Sequence, residues 1–176
     1  MSKMPQVVTD TPCSTPPPQS TAGTIAGFFF FLAICIVAMI AGAVVTTPNV
    51  TTWYKELARP PWTPPPWLFG PVWTVLYIMM AVSAWLVWMR REVVNIRWPM
   101  TLFGAQLVLN VAWSWIFFGM KSPGVALIEI VALLVAIALT MVSFAKTSGT
   151  ASLLLAPYLA WVMFATSLNI GFWWLN

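Results

Sequence analysis

The chain has 176 residues, 60% of them hydrophobic and only 7% charged, against about 25% charged in a typical soluble domain. That composition excludes a soluble globular protein, and a net charge of +4 spread without a basic stripe excludes nucleic acid as a partner. With no histidine and two cysteines, Cys13 and Cys35, neither a disulfide framework nor a Cys/His metal cluster is supported, and the usual axial ligand of haem iron is missing.

Residues 1–24 are polar and rich in Pro, Thr and Ser, with no apolar period. Such a segment buries too little surface to offset chain entropy and is expected to be a disordered tail. The apolar stretch from residue 25 to about 45 is longer than the roughly 7–15-residue core of a signal peptide and follows a long polar lead-in. It therefore reads as a retained first span. Five apolar runs follow one another at 25–47, 67–89, 98–118, 125–145 and 151–175. Each is near the roughly 20 residues needed to cross a bilayer core. None alternates as a barrel strand does, so the backbone must be satisfied within helices. Residues 25–176 are thus expected to form one all-α domain, an integral membrane bundle of five transmembrane helices. Charges on the N-terminal side (Lys3, Arg90, Arg91, Arg97, Lys146) outnumber those opposite (Lys55, Arg59, Lys121), which puts the N-terminus in the cytoplasm.

Between the first two runs lies WYKELARPPWTPPPWLFGPVW, residues 53–73. Residues 53–59 are expected to form about two helical turns, capped by Thr51 or Thr52 and stopped before Pro60. Pro60-Pro61 and Pro64-Pro65-Pro66 then favour a stiff, extended path, which suits a lid over a cavity between helices.

Eight of the twelve tryptophans divide by position. Trp67, Trp88, Trp98, Trp173 and Trp174 lie at span ends and read as an interfacial aromatic belt. Trp73, Trp113 and Trp161 fall inside the second, third and fifth runs, one per helix. Packing explains any one of them; together they suit an apolar pocket for a flat ligand. Gln106 and Asn110, four apart, share a face of the third helix, which must look inward. Gln106 reads as interhelical glue, Asn110 as a pocket-lining residue, and Asn169 as either. Glu129 is the one carboxylate inside a run, about a turn from the helix start, where it reaches interfacial water. With no second acid in the membrane, a proton relay is not supported. Pro157 should kink the fifth helix beside Trp161. Small residues four apart (Ala38/Gly42, Ala132/Ala136, Ser167/Gly171) allow close helix approach, within the bundle or between protomers.

The loop sequence closely resembles the signature of the TspO/MBR family, the tryptophan-rich sensory and translocator proteins. The resemblance continues in Asn110-Val111-Ala112-Trp113 with Ile116-Phe117-Phe118-Gly119, and in Pro157-Tyr158-Leu159-Ala160-Trp161 with Ala165-Thr166-Ser167-Leu168-Asn169. It implies a membrane receptor for porphyrins and other hydrophobic ligands, acting in tetrapyrrole handling or transport and stress sensing, with no cofactor required. The expected ligand-binding residues are Tyr54, Trp62, Trp73, Asn110, Trp113, Trp161, Ala165 and Leu168. Lys55 and Arg59 are expected either at headgroups or at porphyrin propionates in the cavity mouth. Expected partners are a porphyrin or similar small molecule, the lipid bilayer and a second copy in a homodimer. One alternative is light- and oxygen-dependent porphyrin breakdown, with Trp73 and Trp161 as electron donors. Another is a lipid or sterol carrier. Animal members end the fifth helix with a sterol-recognition pattern; here Ile170 replaces its tyrosine and no basic residue follows, so sterol binding through it is not expected.

Overall fold

The structure, a computed structural model, describes residues 21–176. The expected tail, up to residue 20, lies outside the described residues. Residues 21–24, expected within that tail, instead begin the first helix, α1 (Thr21–Thr51). The chain continues through α2 (Trp53–Glu56), α3 (Phe69–Trp88), α4 (Arg97–Ser114), α5 (Pro123–Ala145), α6 (Gly149–Leu154) and α7 (Ala156–Leu175), with no strand among the described residues. Five helical stretches are long and apolar enough to cross a membrane: 21–51, 66–88, 97–119, 123–145 and 149–175. The protein is a multi-pass integral membrane protein.

Short connections force antiparallel neighbours, and the packing closes them into a ring. α1 lies on α3 and α4, α4 on α5, α5 on α6 and α7, and α6 on α3. The indole N–H of Trp85, near the end of α3, donates to the Thr24 carbonyl at 3.0 Å and so ties it to the start of α1. At the same end Gly27 lets Trp88 lie flush on α1; a Cβ there would overlap the indole ring. Arg91 covers the other side of Trp88 at 3.5 Å from its ring centroid. Trp88 is thus half-buried packing as much as belt, whereas Trp98, Trp173 and Trp174 are exposed.

Three helix ends depart from expectation for local reasons. α2 is a single turn, not two, and it has no side-chain cap. The Thr51 and Thr52 hydroxyls turn back and donate to the Pro48 carbonyl, at 3.1 and 2.9 Å, and Thr52 accepts no N–H of α2. α4 runs into a wide turn, Trp115–Gly119, where the Met120 N–H reaches back five residues to the Trp115 carbonyl at 2.8 Å. That extra residue swings both Phe117 and Phe118 into the core. The fifth span breaks at Leu155, ahead of Pro157 instead of beside Trp161, since Pro157 offers no N–H to the turn before it.

Two clusters fill the interior. The larger runs along the bundle through Leu76, Met80, Leu107, Ile130, Ile137 and Val162. A smaller one, at the loop end, gathers Tyr54, Phe117, Phe118, Ala126, Leu168 and Phe172.

Candidate functional site

Between these clusters the bundle is hollow. A cavity of about 540 Å³ is walled by α1, the Pro66–Leu68 turn, α3, α4 and α7. Ligand pockets are ordinarily about 300–1,000 Å³. Trp73 from α3, Trp113 from α4 and Trp161 from α7 all line it, so the three interior indoles converge. No Asp, Glu, Lys or Arg is among its lining residues. Its exposed wall residues fall on α1 (Ile40, Ala43, Thr47, Thr51) and on the loop and α3 (Pro66, Trp67, Gly70, Thr74). The mouth therefore opens sideways between α1 and α3, at the loop end.

Ring contacts hold the inner wall. Trp73 lies 5.7 Å from Tyr77 and 6.2 Å from Tyr158, centroid to centroid, and Phe69 meets Trp161 at 6.1 Å. These rings, one set on α3 and the other on α7, space the two helices apart. Asn110 closes the floor. Its Oδ1 accepts from the Tyr77 hydroxyl at 2.5 Å and its Nδ2 donates to the Tyr158 hydroxyl at 3.1 Å. Asn110 is 4% exposed, so both tyrosine bonds form away from water and each replaces a costly unpaired group. A second link runs from the Trp113 N–H to Asn169 Oδ1 at 3.1 Å, and from Asn169 Nδ2 to the Pro123 carbonyl at 2.7 Å. Trp113 is thereby fixed by α7 and the start of α5. The Thr46, Thr51 and Thr74 hydroxyls donate to carbonyls of their own helices, leaving oxygen lone pairs toward a guest.

Of the residues expected to bind ligand, Trp73, Asn110, Trp113, Trp161 and Ala165 line the cavity, and Tyr54, Trp62 and Leu168 do not. Tyr54 and Leu168 sit in the loop-end cluster, where Tyr54 packs 5.0 Å from Phe172 and 5.9 Å from Phe118. Burial pushes the Tyr54 phenol up to about 12, with Arg59 opposing. Trp62 is half-exposed on the outer face of α7, against Gly171. Lys55 and Arg59 do not line the cavity either; Arg59 lies over the Tyr54 ring at 5.4 Å. Trp67, read as belt, is also part of the wall. Gln106 is fully buried, with its Nε2 on the Met80 sulfur at 3.9 Å and its Oε1 without a partner. Glu129 does not reach the interface, since both its carboxylate oxygens are covered and unpaired. Among the described residues no group of three or more His, Cys, Asp or Glu is placed to hold a metal.

Sequence reasoning missed Tyr77, Phe69, Phe118 and the hydroxyl-bearing wall of Thr46, Thr47, Thr74 and Ser114. A signal existed for two of these. Tyr77 stands one turn after Trp73 on the same face, and Thr46-Thr47 is a polar pair inside an apolar helix.

Similarity to known proteins agrees with this architecture. Residues 31–175 match the TspO/MBR family. A tryptophan-rich protein TspO of Chlorobaculum tepidum is 45% identical over 149 residues, covering 82% of this chain and 92% of that protein. The human translocator protein is 42% identical over 127 residues, 69% of this chain and 73% of its own. A tryptophan-rich sensory protein of Cereibacter sphaeroides is 34% identical, covering 81% and 86%. A match that begins inside α1 and runs through the other four spans places this chain in the TspO/MBR family.

Proposed function

We propose that the protein is a membrane receptor that takes up porphyrins and other flat hydrophobic ligands in the cavity between α1, α3, α4 and α7. The observation that carries this reading is the convergence of Trp73, Trp113 and Trp161 on one uncharged hollow of about 540 Å³. Indole faces offer a planar macrocycle both apolar area and stacking. A sideways mouth suits a ligand that partitions into lipid before it binds. Because the lining holds no cation, propionates remain outside the hollow, at the mouth, where the Thr47 and Thr51 hydroxyls stand. Tetrapyrrole handling or transport and stress sensing are the roles this binding would serve. Binding is tested by titrating the purified protein with protoporphyrin IX and following tryptophan quenching. Saturable quenching that weakens in Trp73→Phe and Trp161→Phe is expected; quenching that rises linearly with porphyrin, as partition into detergent does, would count against a site.

A second reading, porphyrin breakdown by light and oxygen, draws support from one feature. Trp73 is in ring contact with Tyr77 and Tyr158, so an electron lost from its indole has aromatic neighbours to replace it. Comparing bound porphyrin in light and dark separates the two. Loss in light that disappears in Trp73→Phe and Trp161→Phe marks the enzyme, and equal recovery in both conditions marks a receptor.

A further inference from the structure

The loop between α2 and α3 is fastened to the end of α7 at a point remote from the cavity. Asn176 Oδ1 accepts from the Ala58 N–H at 3.0 Å, and its Nδ2 donates to the Ala58 carbonyl at 3.1 Å and to the Phe172 carbonyl at 3.0 Å. One amide thus satisfies both backbone groups of a loop residue 118 positions away. Two residues on, Pro60 is pressed onto Gly171, where a Cβ would overlap the proline ring, and Trp62 lies beside it. Pro60 is buried although its neighbours Arg59 and Pro61 are exposed. The next step is stiff. The Thr63 N–H and hydroxyl both donate to the Pro60 carbonyl, at 3.0 and 2.7 Å. Pro64, Pro65 and Pro66 then hold an extended path that bends little. That path ends in Pro66, Trp67 and Phe69, which line the cavity.

From this chain of contacts we infer that Asn176 and Gly171 form a clasp which, through the proline strut, holds the cavity's roof shut and sets how fast a guest leaves. Neither clasp residue lines the cavity, and both act by positioning Trp67 and Phe69. The inference rests on the binding role proposed above, but its mechanical half is measurable without any ligand. The Leu68 N–H donates to the Pro65 carbonyl and the Phe69 N–H to the Pro66 carbonyl, a single short turn that frays once nothing holds it in place, so exchange at these two amides reports how firmly the strut is held.

Hydrogen exchange on the full chain in lipid nanodiscs, with Asn176→Ala and Gly171→Ala beside wild type, reads the strut directly. Gly104→Ala serves as a control, since a Cβ there meets nothing within 4 Å. The clasp predicts that Leu68 and Phe69 exchange on the order of tenfold faster in both clasp variants, as the loss of a paired hydrogen bond or a tight contact implies. Amides inside α3 and α7 keep their protection, which a general loss of stability would not allow. Protoporphyrin IX preloaded into the cavity leaves faster by a similar factor, and Asn176→Asp, which keeps the acceptor for Ala58, falls between. Faster exchange at Ala58 alone, with Leu68 and Phe69 unchanged, overturns the strut. A loosened roof with unaltered porphyrin release overturns the gating. Should wild type bind no protoporphyrin at all, the binding role fails, and exchange at Leu68 and Phe69 still decides whether the clasp holds the roof.

Discussion

Asn110 bears more of the cavity's structure than any indole does. Its amide joins hydroxyls from α3 and α7, so one side chain ties three helices. Asn110→Ala leaves two buried phenols without their partner and is expected to cost about 1–2 kcal/mol, near the upper range for hydrogen bonds in membranes. Thermal unfolding checks this, and a cycle with Tyr77→Phe should show coupling between the two. The tryptophans are not equivalent either. The Trp113 N–H is bound to Asn169, so Trp113→Phe should lower stability by about 1 kcal/mol. Trp73→Phe and Trp161→Phe break no such bond, so they should lower the unfolding temperature less than Asn110→Ala does while weakening porphyrin binding. Tyr54 gives a separate signal. Its phenol is raised from 10.0 to about 12, so between those values the unfolded chain has lost a proton that the folded chain keeps. Stability therefore falls as pH rises through that window. The tyrosinate absorbance of wild type minus that of Tyr54→Phe should titrate near the higher value.

At the level of elements, the five spans were legible from hydropathy because lipid leaves the backbone no alternative to helix. Their ends were less so. α2 stops at Glu56, a turn early, because Leu57 is already extended and both backbone groups of Ala58 are paired with Asn176, a tertiary contact that composition does not reveal. The wide turn at Trp115–Gly119 was invisible for a similar reason, although it is what brings Phe118 to the cavity. Helix approach is set by a few glycines. Gly42 faces Ser114 on α4, where a Cβ would lie 3.2 Å from its hydroxyl oxygen, and Gly171 faces Pro60. These small residues thus serve packing within the chain. At Gly27 the contact with Trp88 is tighter still, so Gly27→Ala should cost about 1–3 kcal/mol by forcing the indole aside. Gly104→Ala, in open space, should cost almost nothing. Unfolding of the two variants side by side tests whether contact, not helix propensity, sets the difference.

For the whole molecule, the ring of helices matters because it is filled unevenly. α3 closes on α6 at the tail end, whereas at the loop end aromatic rings hold α3 and α7 apart. The interior indoles were visible in the sequence, one per helix, but their convergence was not, since it depends on helix order around the ring. Tyr54, Trp62 and Leu168 belong to the same motifs as the lining residues, yet they hold the loop and its cluster together. A motif marks what the fold needs as well as what a ligand touches, and spacing alone does not separate the two.

The central claim is that the hollow itself receives the ligand, and filling it is the most direct test. Ala165 lines the cavity from α7, whereas Ala132 is exposed on the outside of α5. Titration with protoporphyrin IX should give saturable tryptophan quenching in wild type and in Ala132→Phe, and at least tenfold weaker binding in Ala165→Phe, whose ring takes up the guest's space. Equal affinity in all three proteins would contradict the account.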